Sequence, residues 1–403
     1  MGVEVIGVDV ARVRGLYPTL ATRTAALDGS FAALQPESVI RAIIGTLRSA
    51  PAQPGSHSTR SQQAATRVLR ARWAAADLVK GRPEDVVLGS SSVSLLLRLA
   101  TVASSDWQLG DEVVVSRLDA DVALHPWLRL ARSRGAIARW AEVDVETGAL
   151  PTWQYDKLIG RRTRVVTVAL GNPASGAVPD TRAIADLAHA RGALVVVDAG
   201  VAPLYLPLDL AELGADVVAV AAPAFGGPTV AALITRPGLL EELRAVSDDS
   251  VVPGDFEVPP LPVELLDGFT AAVDHLADLA ENASGDRRAR LVQSQRLAGE
   301  YTRGLYRTLD DGLRALPGVT VLGAPDRELP VAAFTVAGRT PEQVGTFLQR
   351  HDVSVWTGPA GIAELLRAVG ADEIGGACFV GLMPHTSAAE VGQLLEALRQ
   401  LVG

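Results

Sequence analysis

At 403 residues, with 48% apolar and 21% charged side chains, the chain has the make-up of a globular protein large enough for two domains. No apolar run reaches the roughly 18 residues of a membrane span, and the start MGVEVIGVDVARVRG lacks the basic-then-apolar layout of an export signal. A formal charge of −9 disfavours a nucleic-acid partner, and a lone cysteine, Cys378, suits a reducing, cytoplasmic setting.

From about residue 60 to 235, helical patterns alternate with short Val-rich runs. The runs are VVLG (86–89), EVVVS (112–116), AIARWAEV (136–143), RVVTVAL (164–170), ALVVVD (193–198), DVVAVAA (216–222) and TVAALI (229–234). Runs apolar almost throughout, separated by amphipathic stretches such as SLLLRLATVA (94–103), predict a mainly parallel sheet with helices on both faces. The expected fold is therefore a three-layer α/β domain built on seven strands. Ligands of such sheets sit beyond the carboxyl ends of the strands, so the residues just after each run are the candidates. Residues 247–262, SDDSVVPGDFEVPPLP, read as an acidic, Pro-rich loop. Two long helical stretches (263–282 and 287–316) follow. Short strands, helices and a last helix (387–402) then make a smaller C-terminal α+β domain. The expected division is an N-terminal segment (1–35) packing with the small domain, a large domain (36–262), and a helical linker plus small domain (263–403).

After VVLG comes Gly89-Ser90-Ser91-Ser92, a turn that opens a helix. It is either a phosphate cradle of N–H groups and hydroxyls or a set of ordinary N-caps. Asp198 ends an apolar run and either faces a ligand or caps the following turn. Asn172, after VVTVAL, either faces a ligand or makes an Asx-turn. The six histidines show no i, i+4 pairing, and none sits beside Cys378, so no metal site is expected. The clusters RRTR (161–164) and DRRARL (286–291) read as solvated strand and helix ends. The stretch VVAVAAPAFGGPTVAALI (217–234) reads as strand, Gly-Pro turn, strand; the turn has the shape of a working loop but no side chain able to do chemistry. Only two of the 37 basic residues are lysines, Lys80 and Lys157, and both read as solvent-facing.

The order of these pieces resembles the class V aminotransferases, fold-type I enzymes of pyridoxal phosphate (PLP), and within them the cysteine desulfurase-like group. The resemblance is carried by GDEVVVSRLDADVALHPWLRLARSRGAIARWAEVDVETGAL (110–150) and ALVVVDAGVAPLYLPLDLAELGADVVAV (193–220). FEVPPLPVELLDGFTAAVDHL (256–276), LRALPGVTVLGAP (313–325) and FVGLMPHTSAAEVGQLLEALRQL (379–401) continue it to the last helix. The chain is similar in particular to an uncharacterised actinobacterial branch of that family.

The resemblance implies a PLP site whose chemistry has been stripped. The family's lysine, which forms the Schiff base with the cofactor, precedes a Gly-Pro; aligned on Gly227-Pro228, its position is Ala224. The position of the ring-stacking histidine is Ala120, that of the contact to the cofactor's phenolic oxygen is Val201, and that of the substrate-carboxylate arginine is Phe379. The family's asparagine maps to Pro173, with Asn172 one place off. Its Glu-x-Gly-Thr loop has become Glu257-Val258-Pro259-Pro260, and the loop 353–361 has no cysteine for sulfur transfer. Gly89, Ser90, Ser91, Ser92, Asn172 and Asp198 remain as cofactor-type candidates, with any PLP bound non-covalently and the old site repacked as an apolar cleft. The resemblance further implies a homodimer. A small-molecule ligand and a heterodimer with an active homologue are alternatives.

Overall fold

The computed structural model describes residues 8–21, 24–31, 33–246, 256–258, 260–325 and 328–403. Most of the acidic loop (247–255) and Pro259 lie outside that set. Each Val-rich run forms a strand of one sheet: β1 (Val86–Gly89), β2 (Glu112–Ser116), β3 (Ile137–Ala141), β4 (Thr163–Ala169), β5 (Leu194–Asp198), β6 (Val217–Ala221) and β7 (Ala231–Thr235). Their order is β1-β7-β6-β5-β4-β2-β3, and only β7 runs against the others.

The continuous apolar character of the runs follows from burial on both faces. Val114, Val166, Val168, Val195, Val197, Val218 and Val220 point into a core shared with helices α1 (Glu37–Arg48), α2 (Thr59–Val79), α5 (Thr181–His189) and α6 (Val263–Ala277). Val113, Val115, Val165, Val196 and Val217 point to the other face, against α3 (Ser92–Ala103) and α4 (Asp121–Arg134). Each fully buried Val or Leu contributes about 1.5–3 kcal/mol of transfer free energy, so two packed faces explain why the strands tolerate almost no polar residue.

The turn after β6 has a structural reason for its glycines. Ala222–Phe225 make one short helical turn, the Gly227 N–H donates to the Ala222 carbonyl at 2.8 Å, and the chain returns as β7. Gly226 sits at φ +82°, and a Cβ there would lie 2.7 Å from the Leu34 carbonyl oxygen. Only glycine fits that left-handed, crowded position.

Beyond α6 runs α7 (Arg287–Arg314), followed by a four-stranded antiparallel sheet. Its strands are β8 (Val319–Val321), β9 (Val331–Val336), β10 (Trp356–Gly358) and β11 (Ala377–Gly381), in the order β10-β11-β9-β8. Helices α8 (Pro341–Gln349) and α9 (Ala388–Val402) complete it. Ala25–Ala26 pair in parallel with Val353–Ser354, and Leu27 joins the core of this sheet, whereas Val13, Tyr17 and Leu20 belong to the core of the large one. One expectation needs correcting. The DRRARL arginines are not merely solvated: Arg287 pairs with Asp77 and Asp274 at 3.0 and 2.7 Å, and Arg288 donates to the carbonyls of Asp77, Leu78 and Leu208. They fasten the start of α7 to α2 because α2 ends there with carbonyls in need of donors.

Candidate functional site

A cleft of about 240 Å³ opens at the carboxyl edge of the sheet, where the ends of β1, β2, β4, β5 and β6 meet the loop 359–362. Ala120, Val201 and Ala224, the positions that the resemblance assigns to the stacking ring, the phenolic-oxygen contact and the lysine, line it together with Pro173. Phe379 does not line it directly; fully buried in β11, it packs edge-on against Phe31, which does. Small and apolar side chains dominate the wall. Ser30, Ser92, Asn172 and Asp198 are its only polar side chains among the described residues, and no lysine, arginine or histidine lines it.

Of the serine turn, only Ser92 reaches the cleft. Ser91 is the N-cap of α3: its Oγ accepts from the Ser94 N–H at 3.3 Å and donates to the Ser94 hydroxyl. Gly89, Ser90 and Ser91 lie outside the lining, because the N-cap geometry turns the first serines outward. Asn172 is buried at the wall, but its polar atoms are spent locally. Its amide donates to the Leu118 carbonyl at 2.8 Å, and its oxygen accepts from the N–H groups of Ala174 and Ser175, an Asx-turn.

Asp198, at the end of β5, caps the following turn and also lines the cleft. Its Oδ1 accepts from the Gly200 N–H at 3.1 Å, and the half-buried side chain forms part of the cleft floor. Burial pushes its carboxyl up to about 6; the Gly200 N–H opposes the rise, and the neighbouring Asp119 adds to it.

Two features of the site carry no signal in the sequence. Asp119, between β2 and α4, is buried behind Asp198, and burial drives its carboxyl upward as well. Ala360, Gly361 and Ile362 close one side of the cleft, held there by Asp121, whose N–H donates to the Gly361 carbonyl and whose carboxylate accepts from the Ala363 N–H. A side chain's neighbours across the fold are not periodic in sequence, so neither could be found by pattern.

Both lysines are engaged away from the cleft. Lys80, the left-handed C-cap of α2, pairs with Asp209 at 2.6 Å, and the Lys157 ammonium lies 5.8 Å over the Trp153 ring. Cys378 is buried in β11, its thiol pushed up to about 12 by burial, and its Sγ faces the Pro341 carbonyl. Glu257 is tied to β1: one oxygen accepts from the Leu88 N–H at 2.8 Å and the other pairs with Arg72 at 2.7 Å. That pair borders a larger groove of about 810 Å³ at the opposite, amino end of β1. Among the described residues no group of three or more His, Cys, Asp or Glu side chains is placed to hold a metal ion, and no helix is long and apolar enough to cross a membrane.

The residues at the cleft do not fit covalently held PLP. Among the described residues no lysine lines the cleft to form a Schiff base, and no lysine, arginine or histidine lines it to meet a phosphate. A carboxylate on the floor and one serine at a helix start are what remain for a cofactor of that kind.

A family model described as aminotransferase class-V matches residues 25–257 and 265–394. An uncharacterized protein of Mycobacterium tuberculosis is 40% identical over 397 residues, covering 98% of this chain and 99% of its own length. A probable cysteine desulfurase of Pseudomonas aeruginosa is 28% identical over 387 residues, 92% of each chain. Among solved structures, the fold is similar to the Escherichia coli cysteine desulfurase CsdA (TM-score 0.82, 23% identity, 97% of this chain and 98% of that one). It is also similar to an apo cysteine desulfurase of Thermococcus onnurineus (TM-score 0.85, 21% identity, 97% and 98%).

Proposed function

The chain belongs to the aminotransferase class-V family, and on that premise we propose that it is a member without covalent PLP chemistry, acting as a binding or scaffold protein through the cleft above Asp198. The observation that carries this reading is Ala224 on the cleft wall, with Lys80 and Lys157 both held elsewhere. A lysine in this chemistry is both the anchor of the cofactor and its proton carrier, and no neighbouring side chain replaces it. An apolar wall over a single carboxyl suits a small molecule that is neutral or carries a cationic nitrogen better than a di-anionic phosphate. The same reading takes the protein as a cytoplasmic homodimer with a large domain over 36–262 and a small one over 263–403. Pairing with an active homologue would give the scaffold role a partner.

The test is borohydride reduction of the full-length protein after PLP addition, followed by peptide mass analysis. The expected result is no stoichiometric pyridoxyl-lysine and no imine absorbance band that Lys80→Arg or Lys157→Arg removes. A one-to-one adduct on either lysine would overturn the reading. A second reading, favoured by Asp198 and Ser92 sharing the cleft, is an aminotransferase- or lyase-like enzyme that holds PLP without a bond. Calorimetry with PLP separates the two: saturable binding that Asp198→Ala abolishes supports the second.

A further inference from the structure

Behind Asp198 lies a small space of about 10 Å³ lined by Leu96, Asp119, Ala123, Trp127, Thr167, Val168 and Val196 as well as Asp198 itself. Asp198 thus stands between the cleft and a narrow chamber the size of one water. The chamber is not apolar. Asp119 is 1% exposed and uses one carboxyl oxygen fully: Oδ2 accepts from the Ser116 N–H at 2.8 Å and from the Thr167 hydroxyl at 2.6 Å. Its other oxygen, Oδ1, makes no close hydrogen bond, although the Ala169 N–H also favours the ionised carboxyl, and the indole N–H of the fully buried Trp127 has no partner. An orphaned acceptor and an orphaned donor around one small space are each costly, at ~1–3 kcal/mol, unless something joins them.

We infer that Asp119 is a positioning residue for Asp198: its free oxygen, one trapped water and the Trp127 N–H form a closed relay behind the cleft through which the two carboxyl groups share a single proton. The water accepts from the Trp127 N–H and bridges Asp119 Oδ1 to the Asp198 carboxyl. With the proton on Asp198, its O–H donates to the water and the water donates to the Asp119 carboxylate; when that proton passes through the water to Asp119 Oδ1, Asp119 donates to the water and the water donates to the Asp198 carboxylate. Charge is conserved and no other co-reactant is required. Two adjacent buried carboxylates cannot both be ionised cheaply, which is why sharing one proton is the stable arrangement. The groups facing the pair support this. Asp119 contributes from the β2–α4 loop, Thr167 from β4 and Trp127 from α4; the buried Tyr155 lies within electrostatic reach of Asp119, and among the described residues no cation lines the cleft side. The floor of the cleft is therefore a carboxyl able to give or take a proton. It suits a ligand that presents one basic nitrogen, accepted protonated against the carboxylate or unprotonated against the acid.

This rests on the cleft being a binding site, but its test needs no ligand, so the two readings fail separately. The side-chain carboxyls of the full chain, labelled with ¹³C-aspartate, are followed by NMR through a pH titration, with Asp198→Asn and Asp119→Asn assigning the two signals by their loss. The expected result is that the wild-type Asp119 signal moves through the Asp198 step, and that Asp119→Asn lowers the Asp198 midpoint by about one unit, a tenfold loss of proton affinity. Asparagine keeps an oxygen for Ser116 and Thr167 and puts N–H donors toward the chamber, so the fold is preserved while the shared proton is lost. A lowered midpoint is also what a permanently ionised Asp119 gives by repulsion, so the wild-type Asp119 carboxyl must show a protonation-sized shift across the Asp198 step; a midpoint unmoved in the variant overturns the inference. So does a wild-type titration in which the Asp119 signal is blind to Asp198, a measurement that holds even should the variant misfold.

Discussion

Replacing Asp198 with asparagine should make the protein more stable at pH 7.5 and leave it unchanged near pH 4. In the folded chain the carboxyl is raised from an ordinary value of 3.8 to about 6, chiefly by burial. A carboxyl raised on folding contributes stability that is fully present below its unfolded value and is lost as pH climbs through the folded one. About two units correspond to ~3 kcal/mol at neutral pH. Asp198 opens on the cleft, and solvent screening there brings the expected gain for Asp198→Asn to ~1–3 kcal/mol. The asparagine oxygen still accepts from the Gly200 N–H, so the local turn is not lost. Urea unfolding of both proteins at the two pH values, read on the first transition, measures the difference of differences. A variant that is less stable at pH 7.5, or that gains equally at both pH values, would refute the assignment of a strained carboxylate to the cleft floor.

Installing an amine at position 224 should be a gain-of-function change. Ala224→Lys places an ammonium-bearing chain on the wall of the cleft, and added PLP should then give a borohydride-stable adduct at residue 224 that the wild type lacks. The thiol of Cys378, buried and raised to about 12, should resist alkylation in the native protein and react fully once urea unfolds it; rapid native labelling would contradict its burial in β11. His275, buried against the Tyr17 hydroxyl at 2.7 Å, is lowered to about 4 by burial, with Arg12 adding to it. A histidine lowered on folding stabilises fully above 6.5 and loses that contribution as pH falls toward 4, ~3 kcal/mol in all. Stability should fall steeply over that interval, and His275→Gln should flatten the slope in pH-dependent thermal melts.

Much of the scaffold was legible because its cause is local. Seven Val-rich runs became seven strands; apart from the largely exposed edge strand β3, they are packed on both faces and so need apolar side chains almost throughout, a requirement written residue by residue. The candidate site was legible only in part. Ala120, Val201 and Ala224 could be placed on one cleft by family register. Ser90 and Ser91 were candidates by position alone, yet the helix start claims Ser91 as its cap and leaves both outside the lining. Asn172 likewise reaches the wall with its polar atoms already committed to its own turn. Hydrogen-bond competition within a few residues decided these cases, and side-chain type does not reveal which partner wins.

By itself the sequence determined the alternation of strand and helix, the scarcity of lysine, and the absence of any functional side chain in the turn 222–228. Those are statements about single positions and short periods. Only the tertiary structure decided that Asp119 stands behind Asp198, that Thr167, 48 residues further along, holds it there, and that the loop 359–362 walls the cleft. Proton sharing depends on distance through space in a medium of low dielectric. The chain acquires such distances only when its separate strands close side by side.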